Sequence, residues 1–153
     1  SEEEIYMIEA AAKLYCKPQI SCDLQVHQVE GRTVLEVVVP PGQQKPYLAK
    51  DHDNRWWAYI RVRDENILAT PVHIKVWQQA GTPKGSFVHY TESEQLLLDY
   101  LDSHDAITLN QYSRLAKITR NKAENTLAKF IRFELIEPSF DGQRFLFKQN
   151  EKD

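Results

Sequence analysis

Five side chains in the last third of the chain carry groups suited to a nucleic-acid surface. Asn121, Lys122, Asn125, Lys129 and Arg132 are all amides or cations, with no carboxylate among them. Placed on a helix they fall along one stripe, because residues three or four apart share a face. Amides and cations can meet base edges and phosphates. Arg120, Arg144 and Lys148 add further cations around the stripe. An earlier run, Trp56 to Val62, alternates as a strand does. One face carries Trp56, Ala58, Ile60 and Val62; the other carries Arg55, Trp57, Tyr59, Arg61 and Arg63. Rings can stack on bases while guanidinium groups hold phosphates. The same face could equally be core under helices, with Arg61 paired to Asp51, Asp53 or Asp64.

The stripe needs a helix, and the sequence supplies its start and stop signals. Thr91 and Glu94 form a capping box that opens a helix burying Leu97, Leu98 and Leu101 and ending near His104. Thr108 caps a second, shorter helix with Leu109, Tyr112, Leu115 and Ala116 on its apolar side. A turn at Lys117-Ile118-Thr119 leads into a third helix, Arg120 to Phe133, whose inner face is Ala123, Leu127, Phe130 and Ile131. Leu135 and Ile136 begin a strand. Asp141-Gly142 makes a tight turn, and Gln143 to Lys148 returns as the second strand of a hairpin. Three helices followed by such a hairpin resemble the winged helix-turn-helix domains of transcription regulators. The resemblance implies duplex DNA as partner, with Asn121, Lys122 and Asn125 at base edges and Arg120, Lys129, Arg132, Arg144 and Lys148 on phosphates. A winged helix that serves only as a protein-interaction module is the alternative.

Gly81, Pro83, Gly85 and Ser86 break regular structure between Ala80 and Tyr90. The expected organisation is therefore a domain over residues 1–80, a linker over 81–90 and a second domain over 91–150. Ahead of the break, Ile5, Ile8, Ala12 and Tyr15 recur at helical spacing up to Pro18. Asp23 to Val29 and Thr33 to Val39 read as strands about a Glu30-Gly31 turn, and Trp56 to Val62 is a third. Asp64-Glu65-Asn66 turns the chain out of it, and Thr70-Pro71 opens a helix through Trp77. The fold class expected is α+β, a small mixed sheet with helices followed by the winged helix.

One segment of the first part is distinctive. Lys45-Pro46-Tyr47 is followed by Tyr59-Ile60-Arg61-Val62, then Asn66 and Ala69-Thr70 before a helix, with Lys17-Pro18-Gln19-Ile20 upstream. This resembles the second half of the Schlafen-type AlbA-like domain, a DNA-binding domain also described as a divergent ATPase module. The likeness spans roughly Glu2 to Gln79. It implies that the family's opening Glu-Phe-Lys strand and Ala-Asn-Gly-Gly segment would lie ahead of Ser1. In relatives that cleave RNA, acidic residues of that opening part contribute to the site, so a nuclease reading loses its main support. The family is widespread in bacteria beside helix-turn-helix segments. It also implies RNA as an alternative partner, through Arg55, Arg61 and Arg63, and pairing into a homodimer.

Composition narrows the remaining classes. The formal net charge of the 153 residues is −3, so bulk attraction to nucleic acid is not expected. Between Asp105 and Asn150, however, eight basic residues face five acidic ones, so a basic face has to be local. No apolar run is long enough to span a membrane. Cys16 and Cys22 have neither disulfide-scaffold density nor zinc spacing, and a reducing cytoplasm is expected. The five glycines form no phosphate-binding loop, and no nucleophile elbow is present. Asp51-His52-Asp53 suits an exposed loop better than an acid–base or metal site. No catalytic residue, metal or cofactor is therefore expected.

Overall fold

A computed structural model describes residues 2–83, 85 and 89–151. The chain is mixed α and β, with five helices among the described residues and small sheets that are all antiparallel. The expected single mixed sheet is thus replaced by separate ribbons of two or three strands. Two compact units are formed, Ser1–Ala69 and Thr70–Asp153.

The first unit opens with α1 (Glu2–Leu14), which carries three glutamates in its first turn and Lys13 in its last, as the helix dipole favours. Ile5, Ile8 and Ala12 are half-buried on one side, whereas Tyr15 is exposed. β1 (Cys16–Lys17), β4 (Leu48–Lys50) and β5 (Trp56–Trp57) make a three-stranded sheet. β2 (Asp23–Val29) and β3 (Arg32–Val38) form a two-stranded ribbon. Glu30 and Gly31 turn it with φ of 51° and 76°, the two positive angles that a primed hairpin turn requires. β6 (Tyr59–Val62) pairs with β7 (Glu65–Leu68) across Arg63-Asp64.

The run expected as one strand from Trp56 to Val62 is therefore two. Ala58 separates them: its carbonyl accepts from Ala69, and the flanking pieces pair with different partners. β7 occupies residues expected to be a turn and coil, because the reversal is completed by Arg63 at φ 53°.

The second unit comprises α2 (Pro71–Gln78), α3 (Glu92–Ser103), α4 (Leu109–Ala116), α5 (Arg120–Arg132) and the hairpin of β8 (Ile136–Phe140) with β9 (Phe145–Gln149). Thr70, Thr91 and Thr108 each complete a capping box, and Thr119 caps α5 by accepting from the Lys122 amide. Lys117, in the left-handed region, makes the α4–α5 turn, and its Ile118 amide donates back to Ser113. Leu97, Ile107, Tyr112, Leu127, Phe130 and Phe147 are among the fully buried side chains of the core. Tyr112 satisfies its buried hydroxyl by donating to the Ser93 carbonyl at 2.7 Å. Ile107 exchanges two backbone hydrogen bonds with Phe147, which ties the hairpin to the helices. Leu115, expected on the apolar side of α4, is instead 39% exposed.

The division between units precedes α2, where the sequence suggested residues 81–90. Val72 is fully buried in the core of the second unit and Val76 packs against it, so α2 belongs there whatever the chain does after it. Of the expected linker, Lys84, Ser86, Phe87 and Val88 lie outside the described residues.

Candidate nucleic-acid interface

α5 presents one side of its first two turns to solvent. Arg120, Asn121, Lys122 and Asn125 are all exposed, while Ala123, Leu127 and Phe130 on the opposite side are fully buried. A 3.6-residue period with apolar groups at every third or fourth position dictates this division. The expected stripe is therefore real along its N-terminal half.

Its C-terminal half is tied down. Lys129 Nζ lies 3.3 Å from Glu94 Oε2, and Arg132 donates to Gln79, to the Thr82 carbonyl and to the Thr82 hydroxyl. Burial works against the Glu94 charge, but hydrogen bonds from Thr91 and the Lys129 ammonium outweigh it, and its pKa lies below the usual value. Lys129 and Arg132 thus link α5 to its own unit, where the sequence placed them on phosphates. Lys148 is likewise paired, with Glu137 at 3.5 Å and Glu151 at 4.0 Å.

Around the N-terminus of α4 the structure gathers cations that come from three elements. A cleft of about 210 Å³ is lined by Asn110, Arg120 and Arg144 over an apolar floor that includes Val72, Phe145 and Phe147. A neighbouring cleft shares Asn110 and adds Ser113 and Arg114. Arg120 Nε lies 4.0 Å from Glu124 Oε2, a loose ion pair. Arg114 bonds the Asn110 carbonyl at 3.4 Å, and it has no ion pair among the described residues. Arg144 sits in the hairpin loop, not on the returning strand as expected. The Asp141 carboxylate accepts from the Gln143 and Arg144 amides, which widens the turn to four residues between Phe140 and Phe145. Those same backbone bonds, Arg144's first, hold the Asp141 carboxyl below its ordinary pKa. Arg114 was missed in the sequence because its helix was read only for its apolar side.

α2 flanks this end of α5. Lys75 Nζ donates to Asn121 Oδ1 at 3.0 Å and to Asn125 Oδ1 at 2.8 Å. At the start of α2, His73 is 8% exposed, packs edge-on to Phe145 with centroids 4.6 Å apart, and its Nδ1 accepts from the Thr70 amide. Burial drives the imidazole pKa down to about 4.

No family model, curated protein or solved structure matches the chain.

In the first unit Trp57 and Tyr59 are 36% and 45% exposed, and Arg55 and Arg61 are exposed as well. The alternation read from sequence holds, and these rings are open to solvent. Arg61 donates to Asn66 Oδ1 at 3.2 Å, not to an aspartate. The Asp51 carboxylate is occupied by the Asp53 and Arg55 amides and by Trp57 Nε1, which is the work of a turn-forming residue. The Arg55 amide is the largest of the influences that lower its pKa. No helix among the described residues is long and apolar enough to cross a membrane.

Proposed function

We propose that the second unit is a winged helix-turn-helix that binds duplex DNA, in the service of bacterial transcription regulation, and that the first is the latter half of an AlbA-like domain. The observation that carries the reading is the exposed side of the first two turns of α5, with Arg120, Asn121, Lys122 and Asn125, flanked by Arg114 of α4 and Arg144 of the hairpin loop. Helix N-termini suit phosphates and amides suit base edges, so this end of the unit matches both needs of a duplex. Asn121, Lys122 and Asn125 would meet bases; Arg114, Arg120 and Arg144 would meet phosphates.

The test is binding of labelled duplex DNA by the full chain across a salt series, with Lys122→Ala/Asn125→Ala beside wild type. Wild-type affinity should fall by about 0.9 log units per decade of salt for each phosphate held. The double variant should lose roughly tenfold to a hundredfold in affinity, the scale of one or two base contacts. Duplex binding that ignores the double variant would remove α5 from the interface.

The exposed Arg55, Trp57, Tyr59 and Arg61 favour one second reading, single-stranded RNA held by the first unit. Trp57→Ala would then cost about 1–3 kcal/mol of RNA affinity, the usual worth of a stacked base, and the α5 variant would be silent. Binding of neither ligand at low salt would turn the second unit into a protein-interaction module.

A further inference from the structure

The geometry points to Lys75 as the residue that decides which base edges Asn121 and Asn125 can read, an inference that rests on the duplex-DNA reading above. An ammonium has three N–H donors and no acceptor. With Lys75 Nζ at 3.0 and 2.8 Å, the two atoms facing it are therefore the carbonyl oxygens of Asn121 and Asn125. Both Nδ2 groups are turned away from the ammonium, and neither has a hydrogen-bond partner among the described residues. Both asparagines remain exposed.

This arrangement changes their chemistry. A free asparagine side chain reads adenine by accepting from N6 while donating to N7, which needs its oxygen and its nitrogen together. Here each oxygen already accepts from a cation, and what it offers a second donor is weakened. The pair presents four N–H groups to an approaching edge, with a positive charge behind them. Guanine shows two acceptors in the major groove, O6 and N7, and suits such a surface. Adenine brings the N6 donor, which meets on each amide oxygen only a second lone pair weakened by the ammonium, in an unfavourable potential.

The position of Lys75 is fixed independently of any ligand. Val72 is fully buried and Val76 is packed against the same core, so α2 is anchored on either side of Lys75. The Thr70 capping box holds the helix start. Lys75 is thus a positioning residue: it acts on the bases through the two asparagines.

Selection of bound duplexes from a randomised library, using the full chain, tests this directly. Wild type should enrich guanine at the positions facing α5. Lys75→Met keeps the length of the side chain and removes every donor, so it should move those positions toward adenine, by about tenfold in relative preference. Lys75→Arg, which still donates to both oxygens, should retain guanine. In an Asn121→Ala/Asn125→Ala background, Lys75→Met should leave the preference unmoved. A Lys75→Met protein that binds duplex with wild-type base preference overturns the inference, as does a shift that persists without the asparagines. Absence of duplex binding by wild type overturns the DNA reading itself, and this inference with it. A merely structural role for Lys75 would alter affinity or melting temperature and leave the base preference where it was.

Discussion

Replacing Arg114, Arg120 and Arg144 together by glutamine is expected to weaken duplex DNA binding several hundredfold at about 0.1 M salt. Each phosphate contact contributes roughly −0.9 to the slope of log affinity against log salt. One decade below 1 M, each lost contact then costs about 0.9 log units, and three cost about 2.7. The salt dependence should flatten by the same amount. Glutamine keeps hydrogen-bonding groups and most of the stem, so a loss of this form reports charge and not packing. None of the three side chains is buried, and among the described residues Arg120 is ion-paired only with Glu124, at 4.0 Å, so the fold should survive. The matching control is Arg55→Gln/Arg61→Gln, which should leave duplex binding unchanged. If the control pair carries the loss and the three arginines do not, the interface belongs to the first unit.

The second large effect expected is on stability, through His73. Burial holds its folded-state pKa at about 4, against an ordinary value near 6.5. Nδ1 accepts from the Thr70 amide, so the neutral ring carries its proton on Nε2, and burial disfavours the charge that a second proton would bring. The unfolded chain takes up a proton around pH 6.5 and the folded one resists until about 4. Stability from this group is therefore complete above pH 6.5 and drains as pH falls toward 4, by about 3 kcal/mol in all. Urea unfolding of the full chain, followed by helical circular dichroism at pH 7 and at pH 4.5, measures it. His73→Gln should be much less sensitive over that window, since glutamine at this position also completes a capping box. A wild-type midpoint that does not move between the two conditions would show that the ring accepts a proton in place.

Much of the second unit could be read from local rules because local rules build it. Thr91 with Glu94, and Thr108 with its neighbours, are caps whose two halves lie within one turn of helix, and apolar spacing placed Leu127 and Phe130 inward. What escaped was long-range. Lys129 meets Glu94 across 35 residues of sequence and Arg132 meets Thr82 across 50, and no periodicity within α5 announces either partner. The boundary was misplaced for a related reason: Gly81 and Pro83 end a helix, but a break in hydrogen bonding is not a break in packing, and Val72 had already committed α2 to the later core. In the first unit, alternation in Trp56 to Val62 matched which residues are exposed, yet it could not show that Ala58 divides the run between two sheets, so that no single strand carries them.

That first unit has one more consequence. Ala58 is its only buried residue among those described, and Val26, Val29, Val34 and Val37 of the β2–β3 ribbon are 40–50% exposed. A two-stranded ribbon without a covered face closes and opens at little cost. Dipped in heavy water, the chain should behave as two materials. The ribbon's amides should take up deuterium within seconds, while those of α5 around Leu127 and Phe130 should hold their protons until the second unit opens as a whole.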